Sequence, residues 1–231
     1  MLYGVHGVGK STLAALTPAP IFIQTEDGLG EIDCARFPLA ATYDEIVQAI
    51  GELYNEKHDY KTVVIDTLDW LERLVWSDVC REKNVKSIED IGYAKGYTFA
   101  LYQWRTILSG LDALRNERDM TILLLAHCKV ERFEHPETDP FDRWAPRLHK
   151  HASAMIQEWC SEVLFASYKV HTKSTDNGFN RKRVQGIGTG ERIVRTQERP
   201  AHVAKNRLGL PLEVPLTWKA ITTNHQNHAT E

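Results

Sequence analysis

The sequence contains no long apolar run and almost no excess of charge of either sign. Its 231 residues include 28 lysines and arginines against 31 acidic residues, which gives a formal net charge of -3 at pH 7. A helix that crosses a bilayer needs about 20 consecutive, mainly apolar residues. We therefore expect a soluble protein without membrane contact. Because Met1 leads directly into a glycine-rich segment, without the basic and apolar stretches of a secretory signal, we expect it in the cytoplasm.

Cysteine is also scarce, and its spacing argues against two common kinds of site. The four cysteines, at positions 34, 80, 128 and 160, include no Cys-x-x-Cys pair and belong to no Cys/His ligand set. Zinc sites and disulfide frameworks depend on such groupings. We expect the thiols to be reduced and buried.

The apolar segments that are present indicate an α/β protein. Short apolar runs at Pro20–Gln24, Thr62–Asp66 and residues 120–126 alternate with amphipathic helical stretches. This alternation is typical of a mostly parallel sheet that lies between helices.

The second half of the chain predicts a different edge to this sheet. Residues 162–171 and 192–196 have strand character, and residues 176–178 form a turn signal between them. The C-terminal edge of the sheet is therefore predicted to be antiparallel. We expect one domain over residues 1–221 and a disordered polar tail over residues 222–231.

A complete phosphate-binding loop lies at the start of the chain. Residues 4–11 match the pattern Gly-x-x-x-x-Gly-Lys-Ser, and a helical stretch follows them. Glycines allow successive backbone N–H groups to turn toward a phosphate at the positive end of that helix. Lys10 adds a charge on the β and γ phosphates of ATP, and the Ser11 hydroxyl is a ligand for Mg²⁺. The predicted nucleotide-binding residues are Gly4, Val5, His6, Gly7, Val8, Gly9, Lys10, Ser11 and Thr12.

Carboxylates at strand ends complete the predicted site. Asp66 ends the second apolar strand and is predicted to be the other Mg²⁺ ligand, although it could instead cap the next helix. Many P-loop ATPases place a water-activating glutamate directly after this aspartate, whereas this chain has Thr67. The base is therefore expected elsewhere. Glu26 follows the first apolar strand and would project over the γ-phosphate, with Asp27 as the alternative.

His127 ends the third apolar strand, at the same carboxyl edge of the sheet. From this position it could sense the γ-phosphate. The alternative is a structural histidine at a strand end.

Together these residues resemble the RecA/DnaB superfamily of ATPases, and within it the phage RecA-like ATPases of the Sak single-strand annealing recombinase group. The resemblance covers residues 2–218 and includes the segment Gly-Tyr-Ala-Lys-Gly-Tyr at 92–97. In this superfamily the catalytic glutamate ends the strand after the P-loop helix, and a polar sensor ends the strand after the magnesium-binding one. Glu26 and His127 match these positions.

A third match lies far along the chain. Lys205 and Arg207 resemble the Lys-x-Arg segment by which DnaB-like subunits reach a neighbour's nucleotide. The alternative is that both are solvated surface charges. The catalytic residues implied by the resemblance are Glu26, Lys10, His127, Arg207 and Lys205.

The resemblance also implies a function. It predicts a RecA-like, DNA-stimulated ATPase that acts on single-stranded DNA in phage recombination, by annealing or strand exchange. The implied partners are single-stranded DNA, further copies of the chain in a ring or filament, and a single-strand DNA-binding protein. The alternatives are a DnaB-like helicase motor, a small-molecule P-loop kinase and a non-catalytic nucleotide-binding scaffold.

Two segments correspond to the loops that face DNA in RecA-like proteins. These are residues 84–97 and 129–148, and the second mixes cations and aromatic residues with acidic ones. Bases could stack on its aromatic residues. Because residues 130–146 contain three prolines among charges and fit no period, we predict a long loop there.

Overall fold

The computed structural model describes residues 1–176 and 182–222. Within these residues the chain forms a ten-stranded sheet with helices packed against it. The strands are β1 (Leu2–Gly4), β2 (Pro20–Gln24), β3 (Ala35–Arg36), β4 (Thr62–Asp66), β5 (Thr121–Phe133), β6 (Phe141–Pro146), β7 (Glu162–Asp176), β8 (Lys182–Arg195), β9 (Lys205–Asn206) and β10 (Glu213–Pro215). The helices are α1 (Lys10–Ala14), α2 (Tyr43–Asn55), α3 (Leu68–Lys83), α4 (Lys95–Glu117), α5 (Lys150–Trp159) and α6 (Trp218–Thr222). None of the helices in this part of the chain is long and apolar enough to cross a membrane.

The strand order places β5 between β1 and β4. Across the sheet the order is β10-β8-β7-β1-β5-β4-β2-β3. Neighbouring strands are parallel from β7 to β3, and β8 and β10 continue the sheet in antiparallel pairs. The predicted fold class, a mostly parallel sheet between helices with an antiparallel C-terminal edge, is confirmed. It is consistent with a P-loop nucleoside triphosphatase core.

Alternate residues of the central strands pack on opposite faces of the sheet. Val63 and Ile65 of β4 pack in the cluster formed with α2, α3, α4 and α5, whereas Val64 packs in the cluster formed with α1 and α6. All five residues of β4 are buried. A strand that is covered on both faces has this uninterrupted apolar character, which explains why β2, β4 and the first half of β5 were predictable.

The prediction of a long loop over residues 130–146 is wrong. β5 continues past Ala126 to Phe133 and pairs with β6 in an antiparallel hairpin, from Cys128 opposite Pro146 to Phe133 opposite Phe141. From position 129 onward the β5 residues alternate between partly buried and exposed, so neither face of the hairpin is fully apolar. Two of the three prolines lie in the turn and the third ends β6, so no proline interrupts the ladder.

Two predictions fall largely beyond the described residues. The predicted turn at 176–178 includes Asp176, which ends β7, and its other residues lie outside the described part of the chain. The predicted tail at 222–231 includes Thr222, which ends α6, and the rest likewise lies outside. Both flanking strands of the turn, β7 and β8, are longer than predicted.

The cysteines are free thiols, and their burial differs. Cys128 and Cys160 are buried, as predicted, whereas Cys34 and Cys80 are only partly buried.

Gly4→Ala tests the close approach of β1 to β7. A Cβ atom at Gly4 would overlap the carbonyl oxygen of Ala166, because β1 and β7 pair there. Since the overlap is with backbone, we expect this variant to lower the free energy of unfolding by about 2 kcal/mol or more. Gly51→Ala is the control, because a Cβ at this position in α2 meets nothing within 4 Å. It should raise stability by about 0.5–1 kcal/mol, and equal denaturation midpoints for the two variants would contradict the close approach.

Candidate active site

The phosphate-binding loop connects β1 to α1. The motif begins at Gly4, the last residue of β1, and its Lys10 and Ser11 are the first two residues of α1. Gly7 and Gly9 have φ angles of 69° and 100°, in the left-handed region that favours glycine. A loop of this kind turns backbone N–H groups inward, and the following helix adds its positive end, so the segment is suited to hold a phosphate.

Lys10 is buried against the loop. Its ammonium group donates to the carbonyl oxygens of Gly4 (3.3 Å) and Val5 (3.2 Å). Burial lowers the pKa of Lys10 from its ordinary value, and nearby carboxylates, Asp66 first among them, oppose this shift. The cation is therefore held within the loop that would receive the phosphates.

Ser11 and Asp66 lie side by side, as two ligands of one metal ion must. The Ser11 hydroxyl donates to Oδ2 of Asp66 at 2.6 Å, from the start of α1 to the end of β4. Burial raises the pKa of Asp66, and the hydrogen bond from Ser11 and the charge of Lys10 partly offset this. Hydroxyl and carboxylate oxygens are hard ligands of the kind that Mg²⁺ prefers, so this pair fits the ion. The sequence also allows Asp66 to be a cap of the next helix. Its carboxylate instead contacts Ser11, and the N-cap residue of α3 is Thr67.

Glu26 faces the same space from the end of β2. Its Oε1 lies 3.8 Å from Nε2 of His127, and its side chain is only 20% exposed. Burial raises the pKa of Glu26, while His127 lowers it to a smaller extent. Asp27, the alternative base, is exposed. The geometry therefore favours Glu26 over Asp27 as the group that would contact an attacking water.

His127 is held in place by Asp69, a residue that sequence analysis missed as part of the site. Oδ1 of Asp69 accepts the backbone N–H of His127 at 3.0 Å, and Oδ2 lies 3.0 Å from Nδ1 of the ring. Burial opposes ionisation of Asp69, but the hydrogen bonds from His127 outweigh it and hold the pKa below its ordinary value. An ionised Asp69 accepts a hydrogen bond from Nδ1–H, which leaves Nε2 directed at Glu26. The available signal was the spacing, since Asp69 lies three residues after Asp66, in the first turn of α3.

His6 and Arg147 extend this cluster at the phosphate-binding loop. The rings of His6 and His127 are stacked, with centroids 4.0 Å apart. Nη2 of Arg147 lies 3.1 Å from Nε2 of His6. From the sequence, Arg147 is only one of the cations in the second possible DNA-facing segment, residues 129–148, because nothing in the sequence relates it to the phosphate site.

The antiparallel edge of the sheet contacts the loop from another side. The Tyr168 hydroxyl on β7 donates to the carbonyl oxygen of Gly7 at 2.9 Å. Arg192, opposite Tyr168 on β8, lies against Gly9, where an added Cβ would be 2.6 Å from its Nη1. Neither residue was predicted, because this proximity arises from pairing between β1 and β7.

One cleft of about 320 Å³ collects most of these groups. Its lining residues are Gly7, Gly9, Lys10, Ser11, Thr12, Glu26, Gly28, Ile32, Asp66, Thr67 and His127. The phosphate-binding loop, both predicted magnesium ligands, the predicted base and the predicted sensor thus open onto one space.

A comparison with protein families identifies the class of this site. A family model described as an AAA domain matches residues 1–208. The chain belongs to the AAA domain family. It is therefore a P-loop ATPase of the AAA type, a class that binds and hydrolyses nucleotide and generally uses Mg²⁺. No curated protein matches the sequence.

Lys205 and Arg207 lie away from this cleft. β9 pairs with the first residues of β7, at the amino edge of the sheet, whereas the phosphate-binding loop follows the carboxyl end of β1. The Lys205 ammonium group donates to the carbonyl oxygens of Gln157, Glu158 and Cys160, at the C-terminal end of α5. Arg207 is exposed. Its role as a finger that reaches a neighbouring subunit's nucleotide stays a prediction.

Glu26→Gln and Asp66→Asn separate the two carboxylate roles. Glu26→Gln should bind Mg-ATP with unchanged affinity. It should hydrolyse ATP at about one hundredth of the original rate or more slowly still, because the amide cannot accept a proton. Asp66→Asn should in addition raise the Mg²⁺ concentration required. Calorimetry and phosphate release measure the two effects. Undiminished hydrolysis by Glu26→Gln would move the base to Asp27 or another residue.

The same assignment predicts the pH dependence of hydrolysis. A base acts only when it is ionised, and burial raises the pKa of Glu26 above the ordinary value of 4.5. The rate should therefore fall as pH drops through a midpoint above 4.5, and this limb should be absent from the residual activity of Glu26→Gln.

Asp69→Asn tests whether Asp69 acts through His127. The asparagine amide can donate to Nδ1 and so admit the other tautomer of the ring, which should lower hydrolysis about tenfold or more while ADP affinity is retained. In a His127→Gln background the same change should cost little, because the imidazole is already gone. If Asp69→Asn lowers hydrolysis by the same factor with His127 and with His127→Gln, Asp69 has a separate structural role.

Proposed function

We propose that this AAA domain protein hydrolyses ATP and couples hydrolysis to action on single-stranded DNA, as in annealing or strand exchange during recombination. The observation that supports hydrolysis is the convergence of Lys10, Asp66, Glu26 and His127 on one cleft. A non-catalytic nucleotide scaffold would not need a partly buried carboxylate with a raised pKa at the position of the attacking water.

Each side chain has a defined part in the reaction. Glu26 takes a proton from water as the water oxygen bonds to the γ-phosphorus, and the bond from that phosphorus to the β–γ bridging oxygen breaks. The products are ADP and inorganic phosphate. Lys10 stabilises the charge on the β and γ phosphates, and His127 detects through its Nε2 whether the terminal phosphate is present. When bound between Ser11 and Asp66, Mg²⁺ would neutralise phosphate charge.

The β5–β6 hairpin supports the DNA part of the proposal. A separate cleft of about 780 Å³ lies at its tip. Its lining residues are Phe133, His135, Thr138, Asp139, Phe141, Arg143, Glu198, Arg199 and Pro200. The rings of Phe133 and Phe141 have centroids 5.5 Å apart, and the Arg143 guanidinium lies 3.8 Å from the centroid of Phe133. Aromatic rings and a guanidinium in an open cleft are groups on which unpaired bases stack.

The charges of the hairpin indicate how such binding would work. Arg143 pairs with Glu131 at 3.1 Å, and Arg132 pairs with Asp142 at 3.4 Å. Because these cations already have acidic partners, phosphate contacts contribute little. We therefore propose that stacking, rather than neutralisation of the DNA backbone, supplies most of the affinity.

Assembly completes the proposal. Arg207 lies at the opposite edge of the sheet from the phosphate-binding loop of its own chain. In a head-to-tail ring or filament, one surface of each subunit would offer Arg207 and another would offer the loop. A finger in trans would make hydrolysis depend on assembly and therefore on protein concentration.

Phe133→Ala and Phe141→Ala test the hairpin as a stacking surface. Together they should raise the Kd for an oligothymidine about tenfold or more, since one stacked base is worth about 1–3 kcal/mol. The salt dependence of the Kd should be shallow in the unaltered protein. Fluorescence anisotropy at several salt concentrations measures both.

Tyr102→Ala is the matched control, because Tyr102 is an exposed aromatic residue on α4. It should leave the Kd unchanged. A steep salt dependence with no effect of the phenylalanine changes would contradict the stacking proposal. Unwinding of a forked duplex would favour the helicase alternative, and a monomer without DNA-stimulated hydrolysis would favour the kinase.

A further inference from the structure

Arg147 lies next to both the phosphate-binding loop and the predicted sensor. It directly follows β6, and its backbone N–H donates to the carbonyl oxygen of His127 at 2.8 Å. Its guanidinium group lies 3.1 Å from Nε2 of His6, in the middle of the phosphate-binding loop. Because arginine only donates, Nε2 of His6 must be the acceptor, and His6 is neutral in this contact. Burial lowers the pKa of His6, and the neighbouring His127 and Arg147 lower it further, which agrees with a neutral ring.

In the described part of the chain, the Arg147 guanidinium forms no ion pair with a carboxylate. Within residues 1–176 and 182–222, no acidic side chain lies within ion-pair distance of this guanidinium, and the side chain is exposed. The acids nearest the cleft have other partners, since Asp66 accepts from Ser11 and Asp69 accepts from His127. Because His6 is neutral, the Arg147 guanidinium can leave it to pair with an anion such as a phosphate group.

The position of that anion follows from the groups around it. Lys10 lies on the inner side of the loop, and Glu26 marks the side from which water would attack. His6 belongs to the loop that would hold the phosphates, and its ring stacks on His127, whose Nε2 faces Glu26. Because the Arg147 guanidinium contacts this loop residue and the side chain is exposed, rotation of the side chain away from His6 would bring the guanidinium toward a phosphate held by the loop.

We propose that Arg147 supplies, within its own chain, a cation that neutralises the γ-phosphate as ATP is hydrolysed, with His6 as the residue that holds it at the cleft. This inference rests on the proposed ATP hydrolysis. As the water oxygen bonds to the γ-phosphorus and the bridging bond breaks, the bonding electron pair passes to the β-phosphate of ADP and the water proton passes to Glu26. Negative charge on the transferring oxygens would be stabilised by a guanidinium that forms its hydrogen bonds there.

Action within one chain distinguishes Arg147 from Arg207. An active site with Arg147 in cis needs Lys10 and Arg147 on the same subunit. An active site with Arg207 in trans needs Lys10 and Arg207 on different subunits. Mixing experiments separate these cases.

The test compares Arg147→Ala, Arg147→Lys and a matched control, Arg105→Ala, which changes an exposed arginine on α4. Hydrolysis without DNA and the affinities for Mg-ADP and Mg-ADP-aluminium fluoride are measured for each. Arg147→Ala should lower kcat about 100-fold or more and weaken the aluminium fluoride complex by a similar factor, with ADP affinity within about threefold. Arg147→Lys should retain part of both, because it keeps the charge but loses the fork geometry. Arg105→Ala should resemble the unaltered protein.

Each variant is then mixed with Lys10→Ala subunits. Arg147→Ala should stay inactive in the mixture, because no subunit carries both residues, whereas Arg207→Ala should regain activity if it acts in trans. Recovery of Arg147→Ala in the mixture, an unchanged kcat, or an equal loss of ADP affinity would each overturn the proposal. An unaltered protein that binds ADP but neither hydrolyses ATP nor prefers the aluminium fluoride complex would instead contradict the proposed ATPase function.

Discussion

The position of β5 between β1 and β4 is the constraint on which the candidate site depends. All three strands are parallel, so their carboxyl ends meet at one edge of the sheet. The register sets Gly4 opposite His127, and Asp66 opposite Leu125 two residues earlier on β5. His127 is thereby placed between the loop that would hold phosphates and the aspartate that would hold magnesium. Any shift of β5 by one residue would turn His127 to the other face of the sheet.

Three carboxylates at this edge have different environments, and the differences match different roles. Asp69 receives two hydrogen bonds from His127, which favour its ionised form. Asp66 and Glu26 are affected mainly by burial, which raises the pKa of each. Asp66 is paired with the Ser11 hydroxyl, whereas Oε1 of Glu26 lies 3.8 Å from Nε2 of His127, beyond hydrogen-bond distance. The least compensated carboxylate is the one suited to take up a proton.

β5 also connects this site to the hairpin. The strand passes the nucleotide cleft at His127 and continues to Phe133 at the second cleft, while β6 returns the chain to Arg147. A change at either cleft would therefore act on a two-stranded element that is held at its base by His127 and Arg147. This continuity offers a physical route by which the proposed DNA contact at the hairpin and a nucleotide in the loop would affect each other.

The features that depend on local chemistry were predictable from the sequence alone. The glycines and Lys10 of the phosphate-binding loop are contiguous, and Asp66 and Glu26 are polar residues at the ends of fully apolar strands. Strands that are buried on both faces read as apolar runs, so the ends of β2 and β4 were visible along with the α/β class.

Which distant residues join the phosphate-binding loop, Asp66 and Glu26 depends on the tertiary structure. Asp69 and Arg147 contact His127 and His6 across separations of 58 and 141 residues, and no local pattern relates the members of either pair. Lys205 caps α5 through backbone carbonyls, which have no signature in the side-chain sequence. The β5–β6 hairpin was mistaken for a loop because a ribbon that is partly exposed on both faces needs no alternation of apolar and polar residues. Strand burial and loop chemistry depend on short segments, whereas contacts between distant residues depend on the packing of the whole chain. Such contacts therefore exist only when the sheet has formed.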